Sequence, residues 1–361
     1  MLQYPSGLPY TSTKVSMKPR LMFIIALTTG FSLLFGFFMV NRAVEGEFPR
    51  VPLTPVVLSD KGSSEAPIQP VASDVTLNPR EVALGEKIFQ DTRLSENNTI
   101  SCASCHNLAT GGADGRRVSL GIYQQRGTRN APTVFNCSLN YRQFWDGRAA
   151  SLAEQMDGPL KSANEMHSSW PEVAEKLRRE ERYVSEFRAV YPDGLQPGNI
   201  KKALTVFERS LTTPDSRFDQ YLKGDRDALT VRERDGYHLF ISAGCISCHQ
   251  GVNIGGNMMQ QFGVMNNPYA SDAGQKNLEF TDHGALILSD APDNTPMYKV
   301  PGLRNVARTA PYFHDGSAPS LRTAVEIMGH SQLGRSLSSA EVTSLVDFLN
   351  SLTGKYHGKQ L

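Results

Sequence analysis

Two short stretches hold the residues best suited to chemistry in this chain of 361 residues: SCASCHNL at 101–108 and GCISCHQG at 244–251. Each contains Cys-x-x-Cys-His, once as Cys102, Cys105 and His106 and again as Cys245, Cys248 and His249. Positions i, i+3 and i+4 of a helical turn share a face. The two thiols and the imidazole of each pentad can therefore meet one flat ligand together, the sulfurs bonding the vinyl groups of a haem and the imidazole its iron. The competing reading is zinc, with two thiolates from each Cys-x-x-Cys. It gives no reason for a histidine directly after the second cysteine in both copies. A thioredoxin-like redox pair would require a βαβ pattern that is absent. Two covalently bound haem c groups are the expected cofactors. The fifth cysteine, Cys137 in VFNCSLN, reads as a small buried side chain.

The pentads need elements to present them. PREVALGEKIFQD (79–91) is amphipathic, with Val82, Leu84, Ile88 and Phe89 apolar, and RERDGYHLFISAGCISCH (232–249) repeats the arrangement of a helix, a turn and a pentad. The chain thus carries an internal duplication with modules starting near residues 80 and 230. NIKKALTVFERSLTT (199–213) sets Ile200, Leu204, Phe207 and Leu211 on one stripe. SSAEVTSLVDFLNSL (338–352) opens with a serine cap and buries Val342, Leu345, Val346 and Leu349. Gly/Pro/Asn-rich stretches such as 251–301 separate these helices. The expected fold is mainly α: two cytochrome c-like haem domains with long loops, at 80–225 and 226–355, plus an N-terminal transmembrane helix.

That last element comes from residues 21–40, LMFIIALTTGFSLLFGFFMV, an unbroken uncharged run long enough to span a bilayer. Lys14, Lys18 and Arg20 precede it, which leaves residues 1–20 as a cytoplasmic tail and exports the remainder. A cleaved signal peptide, with translation from Met17, is the alternative. The run is long for such a segment, and only NRA at 41–43 offers a small-residue cleavage site. Either way the expected location is the periplasmic side of a bacterial cytoplasmic membrane, where c-type haem is attached. Residues 41–79 read as a linker. Charge is balanced, 37 Lys+Arg against 36 Asp+Glu, which argues against a nucleic-acid partner.

Between and around the pentads the sequence resembles the bacterial di-haem cytochrome c peroxidase family, which also includes MauG. The resemblance runs from about Leu84 to the C-terminus. It rests on RNAPTVFN (129–136), FWDGRAASLAEQMDGP (144–159), NEM (164–166), SRFDQYL (216–222), KVPGLRNVARTAPYFHDGS (299–317) and LRTAVEIMG (321–329). It implies that the family's inter-haem tryptophan is Trp145, its distal glutamine Gln155 with Pro159 beside it, and its catalytic carboxylate Glu165. The distal ligand of the second haem is implied to be Met328, and an inter-haem Ca2+ would be held by Asn130 with the carbonyls of Thr309 and Pro311. The implied activity is reduction of hydrogen peroxide at the His106 haem, Glu165 moving a proton between the two oxygens while Gln155 orients them. Single electrons from a small cytochrome c or cupredoxin would enter at the His249 haem, whose thioether ligand raises its potential, and pass inward through Trp145. The sequence leaves open whether the protein is a monomer or a homodimer.

The residues themselves admit plainer roles. Ser151 with Glu154, and Ser162 with Glu165, both have the spacing of a capping box, so Glu165 could simply cap a helix. Trp145 could be a buried anchor. Met258, Met259, Met265 and Met297 compete with Met328 as the thioether, and His314 reads as a structural hydrogen-bonder near the second haem. Two other functions stay open: a MauG-like enzyme that oxidises a protein side chain, and a membrane-tethered electron carrier without turnover. Met328, where MauG has a tyrosine, favours the peroxidase.

One departure from the family's pattern matters. Many members carry a Gly-His pair shortly before RNAPT, and that histidine blocks the peroxide haem at rest. Here SLGIYQQRGTRNAPT (119–133) has Ile122 after Gly121, and no histidine lies between His106 and His167. Tyr123 is the only nearby side chain able to ligate iron, and a phenol of pKa near 10 ionises reluctantly. The first haem is therefore expected to be open.

The pentads make a direct prediction. Pyridine haemochrome analysis of the purified protein should return two covalent haems per chain. H106A and H249A should each keep both while altering one spectral component; fewer than two haems in the wild type contradicts the reading.

Overall fold

The computed structural model describes residues 67–73, 75–267 and 297–361, and over them the chain is mainly helical. The helices are α1 (Pro79–Phe89), α2 (Cys102–Cys105), α3 (Leu152–Gln155), α4 (Asp157–Lys161), α5 (Trp170–Arg178), α6 (Glu181–Val190), α7 (Pro197–Ser210), α8 (Arg217–Leu222), α9 (Val231–Ser242), α10 (Leu321–Leu333) and α11 (Ser339–Asn350). Short strands pair antiparallel, β1 (Met259–Gln261) with β2 (Met297–Lys299) and β3 (Lys355–Tyr356) with β4 (Lys359–Gln360). The expected tail at 1–20 and membrane segment at 21–40 lie outside the described residues. Among those described, no helix is long and apolar enough to cross a membrane.

Side-chain caps start most of these helices. Asn78 accepts the Arg80 N–H at 3.0 Å ahead of α1, whose Pro79 needs no partner for a missing N–H. Thr230 with Glu233 and Ser338 with Glu341 form capping boxes at α9 and α11. Two apolar cores result. One gathers the buried faces of α1, α5, α6 and α7; the other gathers α8, α9 and α11. The changeover falls between Leu211 and Phe218, so SRFDQYL packs with the second core, ahead of the expected 225/226 boundary. Tyr356 and Leu361, near the end of the chain, return to pack on the first core.

The described end of the expected linker is not loose. Ile68 is fully buried in the second core. Gly251 donates to the Pro67 carbonyl at 2.7 Å, Arg304 to the Gln69 carbonyl at 2.9 Å, and the Val71 N–H to the Asp219 carboxylate at 3.1 Å. Arg304 and Asp219 form a buried ion pair at 2.6 Å, so this strap is tied to a charge pair that cannot be broken cheaply.

The duplication extends well past the pentads. GEKIF (85–89) in α1 and GYHLF (236–240) in α9 match, and each glycine lets a helix approach another backbone closely. A Cβ on Gly85 would sit 2.1 Å from the Ala203 carbonyl oxygen of α7, and one on Gly236 2.0 Å from that of Ser344 in α11. FWDGRAAS (144–151) and FHDGSAPS (313–320) then take the same turn: Phe144 and Phe313 have φ of +67° and +71°, and Gly147 and Gly316 +67° and +63°. Bridges Gln143–Ala149 and Tyr312–Ala318 close both turns, and Ser151 and Ser320 cap the helices that follow. Asn136 and Asn305 occupy matching left-handed positions, and their amides both donate to the Thr213 hydroxyl, at 2.7 and 2.9 Å. Thr213 is fully buried at the changeover between the cores.

The two close crossings predict a stability pattern. G85A and G236A should each lower the unfolding free energy by about 1–3 kcal/mol, as overpacking does. G198A, where nothing stands within 4 Å of the added carbon, should be neutral or slightly stabilising. Denaturant unfolding of the three variants checks this.

Candidate functional site

The pentads fold alike. The first is the α-helical turn α2; the second is a 3-10 turn over Cys245–Ser247. In both, the histidine N–H returns to the carbonyl of the first cysteine, at 2.9 Å for His106 and 3.0 Å for His249. In both, the ring nitrogen Nδ1 lies 3.3 Å from a backbone carbonyl, Gly112 for His106 and Ile254 for His249. With Nδ1–H committed there, Nε2 keeps its lone pair for a metal. Burial lowers the imidazole pKa in each case, to about 4 for His249, so both rings are neutral near pH 7. Burial raises the thiols of Cys102, Cys105 and Cys245, the last to about 11. Among the described residues no group of three or more His, Cys, Asp or Glu side chains is placed to hold a metal ion such as zinc. Paired with a neutral imidazole on a cavity wall, this donor set fits a covalently attached haem.

The first cavity, about 740 Å³, brings the His106 pentad together with Gln155 of α3, Pro159 of α4, Glu165 and Trp145. Glu165 does not start a helix. Ser162 ends α4, and Glu165 sits in the turn after it, its N–H on the Ser162 carbonyl at 3.1 Å. The capping-box reading therefore fails for Glu165; at α3, Ser151 does cap the helix by accepting the Glu154 N–H at 3.2 Å, while the Glu154 carboxylate accepts the Ala150 N–H at 2.8 Å. Glu165 is open to the cavity, yet the protein crowded around that recess raises its carboxyl pKa; Arg148 and a hydrogen bond from Ser162 act against the rise. Arg148 is itself paired with Asp146 at 2.7 Å and lies over the Phe144 ring.

The loop at 119–127 runs along this recess. Ile122 is fully buried and donates its N–H to the Glu165 carbonyl at 2.8 Å. Gly121 passes so near that a Cβ there would meet the Asn164 carbonyl oxygen at 2.1 Å. Tyr123, by contrast, is 65% exposed, turns its hydroxyl to Glu96 at 3.4 Å and does not line the cavity.

The second cavity, about 440 Å³, holds Cys245, Cys248, His249 and Met328. None of the competing methionines lines it; Met265 is exposed and Met259 lies against Gly147. When FWDG is laid over FHDG, Met328 falls on Pro159 and His314 on Trp145, so the two copies differ at the positions facing the cavities. Trp145 lines both cavities. Its indole N–H donates to the Asn130 carbonyl at 2.9 Å, its own carbonyl accepts from Lys299 at 2.7 Å, and its ring meets His314 edge-on. His314 is buried and stacked on Tyr298. Asn130, Thr309 and Pro311 all line the second cavity, and the Asn130 amide donates to the Arg116 carbonyl at 2.8 Å.

Ionisable cavity residues that sequence reasoning missed include Arg148, Glu208 and Lys299. Glu208 stands four residues after Leu204 on the apolar stripe of α7, a charged residue where the periodicity calls for an apolar one. Burial raises its pKa to about 8. Lys299 had no comparable signal.

A family model described as di-haem cytochrome c peroxidase matches residues 79–227. The protein named cytochrome c peroxidase Ccp of Escherichia coli is 43% identical over 80% of this chain, which spans 62% of that relative's length. The cytochrome c551 peroxidase of Pseudomonas aeruginosa is 40% identical over 84% of this chain and 89% of its own. Among solved structures, a MauG-like protein associated with microbial copper homeostasis superimposes with a TM-score of 0.65 at 27% identity, covering 81% of this chain and 95% of that one.

The electrostatics of Glu165 can be read spectroscopically. Infrared difference titration of wild type against E165Q should place its carboxyl pKa above the ordinary glutamate value of 4.5. R148Q should move it higher still, because the cation that favours the carboxylate is gone. A downward shift contradicts the assignment.

Proposed function

Because this chain belongs to the di-haem cytochrome c peroxidase family, we propose that it reduces hydrogen peroxide to water at the His106 cavity, with electrons entering through the His249 cavity from a small cytochrome c or cupredoxin. The observation that carries this division is an asymmetry between duplicated cavities. Beside His106 stand a carboxyl and an amide, Glu165 and Gln155, and the register position of the second cavity's thioether is filled by Pro159, which has no donor. Beside His249 stands Met328.

A haem on each pentad would supply iron that takes up single electrons and passes them to the peroxide. The protein's part is proton handling and positioning. Glu165, its pKa raised, takes the proton from the near peroxide oxygen onto a carboxylate oxygen and returns it to the far one, which leaves as water. Gln155 holds the peroxide in line through its side-chain amide. Ser162 and Arg148 keep enough of Glu165 ionised to accept that proton. Trp145, bonded into both modules, is the relay between cavities. Peroxide reduction consumes two electrons and two protons, so a second module that stores an electron serves the first.

The buried Ile122 and outward Tyr123 support a His106 cavity in which a haem would find no second protein ligand among the described residues and would react without prior reduction. Asn130 with the carbonyls of Thr309 and Pro311 is assigned to one Ca2+, which metal analysis of the purified protein tests. Residues 21–40 are assigned as the anchor to the periplasmic face of the cytoplasmic membrane; alkaline extraction of membranes separates an anchored from a released form.

Steady-state turnover with peroxide and reduced cytochrome c tests the function. E165Q should retain both haems and lose about 10²–10⁴-fold in rate; preserved activity with weakened stability would make Glu165 structural. M328H should lower the potential of one haem and slow electron entry while peroxide still binds at the other, and an unchanged potential would exclude Met328 as the ligand.

A further inference from the structure

Lys299 ends β2, is only 7% exposed, and lines the His106 and His249 cavities alike. Its backbone N–H is fixed on the Trp145 carbonyl at 2.7 Å, which pins the residue to the wall between the two. Among the described residues the one charge influence upon it is the buried thiol of Cys137, itself held protonated by burial. No carboxylate pairs with it there. An ammonium buried without a counter-charge is strongly unfavourable. Burial, opposed by the influence of Cys137, lowers its pKa only to about 8, which leaves it mostly charged at neutral pH.

The missing anion has an evident chemical class. The peripheral anionic groups of a haem are its two propionate carboxylates, carried on the rings that do not bear the vinyl groups. Thioether bonds to a pentad hold the vinyl edge at the cysteines, so the propionates point to other parts of the cavity wall. We propose that Lys299 binds a haem propionate at the wall shared by the two cavities, beside Trp145. This rests on the reading that each pentad carries a haem. A fixed cation beside the ring favours the reduced iron, which carries one positive charge fewer. Lys299 is thus a positioning residue that also raises the potential of the haem it holds.

The test uses the full-length di-haem protein. Covalent haem is counted first, so a failure of the haem reading, which would overturn this inference as well, is seen separately. In K299Q the midpoint potential of at least one haem should fall, and the propionate bending band of that haem should shift in resonance Raman spectra. K299R, which keeps the cation, should restore both readouts. Which spectral component moves tells which haem supplies the carboxylate. Should K299Q load haem poorly while K299R loads it fully, the requirement for a cation is upheld. Wild-type potentials and propionate bands in a K299Q protein bearing two haems would overturn the proposal, as would equal haem loss in both variants.

Discussion

The chemistry of both cavities depends on the orientation of two imidazole rings. Each is held by a bond from Nδ1 to a backbone carbonyl, and that bond decides which nitrogen faces the cavity. The carbonyls lie on the loops just after the pentads, so those loops must turn tightly. Gly112 does so with φ of +77°, at no steric cost. Ile254 does so with φ of +52°, a costly conformation for a β-branched residue. That strain sits in a fully buried side chain, at the residue whose carbonyl orients His249. Packing of the second core around Ile254 therefore contributes directly to the orientation of the His249 ring.

From this shared unit the two modules keep one frame. The same glycine-mediated helix crossing, the same turn around an Asp-Gly pair and the same asparagine reaching Thr213 occur in both. Among the differences are side chains that face the cavities. Pro159 stands against Met328, and Trp145 against His314. On the proposed reading, a duplicated frame with one thioether withheld would yield one saturated and one open site without any change of fold, and the Trp145–His314 contact would join them.

Much of this was legible in the sequence. The pentads announced their turns through spacing alone, and the stripes of α7 and α11 emerged, the latter with its serine cap. The cavity neighbours of the pentads were legible through resemblance rather than periodicity: Glu165 and Gln155 lie on a loop turn and a one-turn helix, where no pattern constrains a side chain. The length of the duplication was obscured because its turns are conserved in conformation more than in residue type. SRFDQYL gave no sign of belonging to the second core, since its apolar residues fit either. Nor could composition show that residues 67–73 are strapped down by Arg304 and Asp219, because that pairing joins segments far apart in the chain. Lys299 was invisible for the same reason: its burial is a property of two cavities meeting.

On the proposed reading, one site is closed by a thioether and the other has an open position. Electron paramagnetic resonance of the oxidised, as-isolated protein tests it most directly. The expected spectrum has one low-spin ferric haem, from the His249 and Met328 pair, and one high-spin ferric haem at His106. Two low-spin haems, with peroxide reactivity appearing only after half-reduction, would show that a protein ligand closes the His106 cavity and would contradict it.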